Sequence, residues 1–161
     1  MDDGSLCESI LGRNKITITT FAIERGKRNE GLVLKEVEKK LKTKIKKCGI
    51  LLNGEYPMFG ASPDGLEDLA VFEVKCPISE ENIQRYYKKK SIQVKYRAQI
   101  QLQMLFAKRK VNYFCIGNPD FEKSKEVIII KDFYDQNFLK CILEKAKNYW
   151  EKYIFTKLMS A

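Results

Sequence analysis

The chain has 161 residues, 44% of them apolar, the size of one ordinary domain with enough apolar surface for a single core. A total of 30 Lys and Arg against 21 Asp and Glu leaves a net charge of +9, a surplus that favours a polyanionic partner. Histidine is absent, which excludes a Ser-His-Asp or Cys-His relay, a histidine zinc site and a histidine base, so any catalysis must rest on carboxylates, lysine, thiols or a metal.

The first residues, Met1-Asp2-Asp3-Gly4-Ser5, are acidic where a secretory signal would be basic, and no apolar run approaches the ~20 residues that span a bilayer. A soluble intracellular protein of the cytoplasm or nucleus, with no membrane partner, is expected. Residues 1–22 carry the least pattern, because the β-branched run Ile16 to Thr20 interrupts any helix. From Glu24 to Lys42, Leu34, Val37 and Leu41 recur at helical spacing between lysines and glutamates, which predicts an amphipathic helix. Strands follow at Ile45–Leu52, closed by Asn53-Gly54, and up to Ala61. The turn Pro63-Asp64-Gly65 then feeds a strand over Leu69–Cys76, stopped by Pro77, and the three strands read as a meander.

Glu80–Lys90 and Val94–Lys108 read as helices, the second with Ala98, Leu102, Leu105 and Phe106 as its buried stripe. Strands are expected at Val111–Ile116 and Val127–Lys131, joined through Asn118-Pro119-Asp120. A last helix runs from Asp135 to about Lys157, with Phe138, Ile142, Ala146, Tyr149 and Tyr153 on one side. Such alternation implies a single α/β (α+β) unit over residues 1–161, a mixed central sheet with helices on its faces. The five cysteines (Cys7, Cys48, Cys76, Cys115, Cys141) are scattered, form no Cys-x-x-Cys pair, and read as reduced, mostly buried thiols.

Chemistry concentrates at Pro63-Asp64-Gly65 and Glu73-Val74-Lys75. Side chains alternate along a strand, so Glu73 and Lys75 project from one face about 7 Å apart while Phe72, Val74 and Cys76 point into the core. A chain reversal at Gly65 would bring the Asp64 carboxylate across the hairpin towards Glu73. Two converging carboxylates repel each other unless a cation lies between them, and oxygen donors with room for water suit Mg²⁺. A neighbouring lysine adds positive charge where negative charge would develop in phosphodiester hydrolysis.

These residues resemble the motif of the PD-(D/E)XK nuclease superfamily. The longer strings Ser62-Pro63-Asp64-Gly65-Leu66 and Phe72-Glu73-Val74-Lys75-Cys76-Pro77 resemble its lambda exonuclease and YqaJ-type viral recombinase branch. Two further segments do the same: Gly26-Lys27-Arg28-Asn29-Glu30 is similar to a helix motif of that branch, and Tyr96 to Met104 to its glutamine-bearing helix. The matches run in the family's order from Gly26 to about Asn118.

The resemblance implies a restriction-endonuclease-like core. It further implies Mg²⁺ or Mn²⁺ held by Asp64, Glu73 and the Val74 backbone carbonyl. Lys75 would position the attacking water, Glu30 would assist a second metal or its water, and Gln99 would hold the nucleophile or scissile strand. It also implies resection of duplex DNA from a 5′ end, beside a strand-annealing protein, and a homo-oligomer that is a trimer in the lambda branch.

Several plainer readings stand beside this one. Glu-x-Lys recurs at Glu38-Lys39-Lys40 and Pro-Asp at Pro119-Asp120 without completing the motif. Glu73 and Lys75 alone would make an ordinary cross-strand pair contributing a few tenths of a kcal/mol. Gln99 and Gln103 share a helix face and could bond one another. An endonuclease of the same fold, an inactive nucleic-acid-binding module and a basic protein that meets an acidic partner are the competing functions.

Basic residues form two clusters, Lys39 to Lys47 and Arg85 to Arg97. Arg85, Lys88, Lys89, Lys90, Lys95 and Arg97, with Arg25 and Arg28, are the expected contacts to a phosphate backbone. Ahead of Gly26 no counterpart of the branch's end-gripping segment is legible, and Arg13, Lys15 and Arg25 are the local candidates for a terminal phosphate. Tyr86, Tyr87 and Tyr96 could stack on unpaired bases, although burial is the commoner fate.

Overall fold

The computed structural model describes residues 3–12 and 20–160. They fall into two compact units, one from Thr20 to Asp135 and one that joins the N-terminal segment to the chain from Gln136 onwards. The run Ile16–Thr19, with Arg13 and Lys15, lies outside the described residues.

The larger unit opens with helix α2, Phe21–Leu41, after a short helix α1, Asp3–Ile10, that belongs to the other unit. Thr20 caps α2: its backbone is extended and its hydroxyl accepts the Ile23 N–H at 3.3 Å. Arg25, Asn29, Val33 and Val37, four residues apart, form its buried row, with Leu34 beside it. The expected stripe at Leu34 and Val37 is therefore present, extended towards the N-terminus by two polar residues.

Strands β1, Leu51–Leu52, and β2, Gly60–Ala61, pair only with each other. The main sheet has four strands: β3, Gly65–Leu66; β4, Ala70–Lys75; β7, Val111–Gly117; and β8, Val127–Phe133, in that spatial order. The β3–β4 and β7–β8 pairs are antiparallel and β4–β7 is parallel, so the sheet is mixed as expected. The three-stranded meander is not: the β1–β2 ribbon is a separate sheet beside helix α4, Val94–Ala107.

Strand β4 is central and separates two cores. Phe72 and Val74 pack with Val33, Leu34, Val37, Cys115 and Phe121 on the α2 side. Ile100 of α4 packs with Phe114, Ile116 and Ile92 on the other. Most of the α4 stripe is rotated from expectation, since Ile100, Gln101, Gln103, Met104 and Phe106 are its buried residues, and only Phe106 was anticipated.

Residues 80–92 depart most from their sequence reading. A single turn of helix α3, Glu80–Ile83, gives way to a hairpin of β5, Tyr87–Lys88, and β6, Ser91–Ile92, where a helix to Lys90 was expected. A short helix α5, Phe121–Ser124, joins β7 to β8. In the second unit, α6, Gln136–Tyr149, continues through a π-helical stretch, Trp150–Phe155, into α7, Thr156–Met159. Its most buried residues are Leu139, Leu143 and Ile154, one position along from the expected stripe, while Cys7 donates to the Tyr153 carbonyl and Lys157 pairs with Glu8. All five cysteines are free thiols, of which Cys7 and Cys115 are buried and Cys141 is exposed. Among the described residues no helix is long and apolar enough to cross a membrane.

Gly65 is where the site depends most tightly on backbone packing. The chain reverses later, at Glu67–Leu69, where the Glu67 N–H donates to the Ala70 carbonyl at 2.9 Å. Gly65 serves instead for close approach: a Cβ there would sit 2.3 Å from Ile45 Cγ2, on the segment whose Lys46 bridges Leu66. Gly65→Ala should therefore cost about 1–3 kcal/mol by overpacking, read as a lower midpoint in urea unfolding against the parent chain.

Candidate active site

The β3–β4 register sets the first two groups. Gly65 lies opposite Phe72, and the Asp64 N–H donates to the Phe72 carbonyl at 3.0 Å. The Asp64 carboxylate then reaches across the ribbon, where Oδ2 accepts the Val74 N–H at 2.7 Å. Glu73 and Lys75 share the face of β4 that looks at α4, as strand alternation requires.

Glu73 is 3% exposed, on a central strand, and therefore needs donors for both carboxylate oxygens. Helix α4 supplies them from successive turns. Gln99 Nε2 donates to Oε1 at 2.8 Å and Gln103 Nε2 to Oε2 at 2.6 Å. Lys75 Nζ adds a third bond to Oε1 at 2.5 Å and lies 3.5 Å from Gln99 Oε1. Its ammonium also stands 5.3 Å from the centre of the Tyr96 ring, a cation–π distance.

Gln103 is the functional residue that sequence reasoning passed over in favour of Gln99. It is 1% exposed and also donates to the Ser62 carbonyl at 3.3 Å, so it links α4, β4 and the segment ahead of Asp64. The signal was its i, i+4 relation to Gln99; what hid it was the assumption that the buried face of α4 is apolar.

The Asp64 and Glu73 carboxylates act on each other electrostatically. The Asp64 carboxyl is pushed up to about 7, first by burial, then by the charge of Glu73, against the Val74 N–H bond that favours ionisation. Glu30, half-buried on α2, adds a smaller push in the same direction. Among the described residues no three Cys, Asp or Glu side chains form a ready-made metal cage. Two hard carboxylates in mutual repulsion nevertheless fit a divalent cation that keeps much of its water, as Mg²⁺ does.

This centre sits in a sequence that matches the YqaJ-like viral recombinase domain over residues 7–110. The chain belongs to that family. Its fold is similar to that of an alkaline exonuclease from Laribacter hongkongensis, with a TM-score of 0.80 at 20% identity over 96% of this chain and 78% of that one. The same exonuclease in complex with dAMP gives 0.77 at 21% identity, with the same coverage. A phage-related exonuclease from Haemophilus somnus gives 0.74 at 13%, over 99% of this chain and 82% of that one. No curated protein matches the sequence at a significant level.

Around the YqaJ-like centre, the expected basic contacts divide into two groups. Arg85, Lys88, Lys89, Lys90 and Lys95 are exposed, and none forms an ion pair among the described residues. Three arginines are engaged elsewhere. Arg25 is 9% exposed and donates to the carbonyls of Pro77, at 3.1 Å, and Pro119, tying together the chain beyond β4 and β7. Arg97 pairs with Asp132 at 3.4 Å and Asp135 at 3.0 Å, and Arg28 with Glu122 at 2.9 Å on the surface. Arg25 and Arg97 are thereby corrected from phosphate contacts to fasteners of the fold. Tyr86 packs on Tyr96 in a tilted pair, ring centres 4.9 Å apart and planes at 53°, so these rings serve each other before any base.

A raised Asp64 fixes the sign of a pH effect. Between its ordinary value of 3.8 and about 7 the folded chain holds a proton that the unfolded chain releases. Stability from this group is therefore present at low pH and lost as pH rises towards 7. The metal-free Tm should fall between pH 5 and pH 8, Asp64→Asn should flatten that fall, and Mg²⁺ should raise the parent's Tm more at pH 8 than at pH 5; differential scanning fluorimetry reads all three.

Proposed function

We propose that this chain is a divalent-metal-dependent DNA exonuclease of the viral-recombinase type, cutting linear duplex in the 5′ to 3′ direction. The observation that carries the reading is the convergence of Asp64, Glu73, Lys75 and Gln99 on one end of a central strand, in a chain of the YqaJ-like family. Asp64 and Glu73, with the Val74 carbonyl, would hold Mg²⁺ or Mn²⁺. Bound there, the ion would polarise a phosphoryl oxygen and make its water a nucleophile at neutral pH.

The chain's own groups do the rest. Gln99 and Gln103 fix the Glu73 carboxylate by one oxygen each, so it presents its remaining lone pairs in one orientation. Lys75 is an ammonium with three donors, two of them directed at Glu73 and Gln99. The third is available to an oxygen of the scissile phosphate, where it stabilises developing charge. Glu30 can accept a proton or a hydrogen bond from water at the Asp64 side. The exposed lysines at positions 88–90 and 95, with Arg85, supply the phosphate-binding face. A strand-annealing protein and a trimeric assembly are the partners that the family resemblance implies, and the cytoplasm or nucleus is the expected place of action.

Two experiments test this reading. Asp64→Ala, Glu73→Ala and Lys75→Ala should each abolish Mg²⁺-dependent release of nucleotides from linear duplex while circular dichroism stays that of the parent; full activity in any one sinks the assignment. End-labelled linear and closed circular duplexes, with Mg²⁺ and with EDTA, read end dependence and polarity, and cutting of the closed circle would make the enzyme an endonuclease.

Gln103→Met keeps the volume and removes the donor. It should lower turnover by about 10- to 100-fold and raise the Mg²⁺ concentration for half-maximal rate. The second effect separates loss of carboxylate positioning from simple loss of folded enzyme.

A further inference from the structure

We infer that the β5–β6 hairpin is a phosphate clip whose tip, Lys89-Lys90, holds the DNA backbone beside the catalytic strand, and that the lysines are retained there against the conformational preference of the turn. This deepens the nuclease reading and rests on it.

The tip is a two-residue loop: Lys88 pairs with Ser91 and Tyr87 with Ile92, leaving Lys89 and Lys90 as its central residues. Their φ values are +52° and +60°. Two consecutive left-handed residues are the signature of a type I′ turn, which Asn-Gly fills without strain and lysine does not. Among the described residues three other lysines are left-handed, Lys42, Lys108 and Lys125, but each is a single residue ending a helix. Helix termination accounts for those. It does not account for two in succession at a hairpin tip, and strain retained at an exposed loop points to a role for the side chains.

Its mounting suits that role. Ile92 is 7% exposed and packs with Ile100, Phe114 and Ile116, and the Gln93 N–H donates to the Tyr86 carbonyl at 2.9 Å to close the base of the hairpin. Tyr86 packs at a tilt on Tyr96, the ring against which the Lys75 ammonium rests. The charged tip is thus fastened to the same aromatic pair that backs the catalytic lysine, while Lys88, Lys89 and Lys90 remain exposed and without ion pairs among the described residues. A rigidly mounted row of ammonium groups beside a phosphodiesterase centre fits the polyanion being cut, and a duplex backbone supplies phosphates at regular intervals.

The test uses the full chain and reads DNA binding in EDTA, where cleavage does not intervene. Lys89→Asn with Lys90→Gly should raise Tm by about 2–6 °C as the turn relaxes. The same variant should weaken binding of linear duplex about 3- to 30-fold at 150 mM salt and flatten the slope of log affinity against log salt by about 2. Lys89→Gln with Lys90→Gln should flatten the slope without raising Tm, and Lys89→Arg with Lys90→Arg should bind like the parent. An unchanged slope in the two neutral variants overturns the clip, and an unchanged or lower Tm in the Asn-Gly variant overturns the strain argument. Failure of the parent to cleave DNA with Mg²⁺ would instead remove the nuclease reading, a result distinct from either.

Discussion

Burial of the Glu73 carboxylate is the constraint to which the rest of the larger unit answers. Moving an ionised carboxyl out of water costs several kcal/mol even after the protein relaxes around it, unless donors reach both oxygens. Lys75, Gln99 and Gln103 do so from two elements. That requirement fixes the height and rotation of α4 over the sheet, because the two amides must face the same carboxylate from successive turns. It also explains why the helix buries glutamines in place of leucines: Gln101 on the adjoining side is likewise saturated, by Asp132, the Phe133 carbonyl and the Asp135 N–H.

The opposite face of β4 is built on the contrary rule. Phe72 and Val74 meet the aliphatic row of α2, and Arg25 at the end of that row closes over the carbonyls of Pro77 and Pro119. One six-residue strand thereby divides the labour. Its even-numbered side chains supply apolar burial, while Glu73 and Lys75 carry the polar cluster that meets the α4 glutamines.

These relations also explain what could be read from the sequence. Strands β4, β7 and β8, helix α2 and the extent of α4 were legible because apolar periodicity and the Pro77 and Asn118-Pro119 breaks agree there. Asp64, Glu73 and Lys75 could be singled out because the motif lies on a turn and a strand that alternation alone orients, whereas Gln99 came from the resemblance of its helix. The face of α4 was not legible: a rule that places apolar residues inside turns the helix the wrong way when Gln101 and Gln103 are buried and their amide nitrogens donate to Asp132 and Glu73. Residues 84–90 were misread as helix because lysine has good helix propensity and no Asn-Gly marks the turn. The reversal was placed at Gly65, whose absent side chain serves close packing, when the chain turns two residues later.

Charge shows the same divide between composition and position. The basic surplus pointed to a polyanion, yet residue type sorts its members. Arg25 and Arg97 are bound into carbonyls and carboxylates, as suits a planar group with five directed donors. The lysines at 88–90 and 95 stay in water around the site. An ammonium on a flexible stem keeps its hydration until an anion displaces it, so it attracts a polyanion without fixing one register.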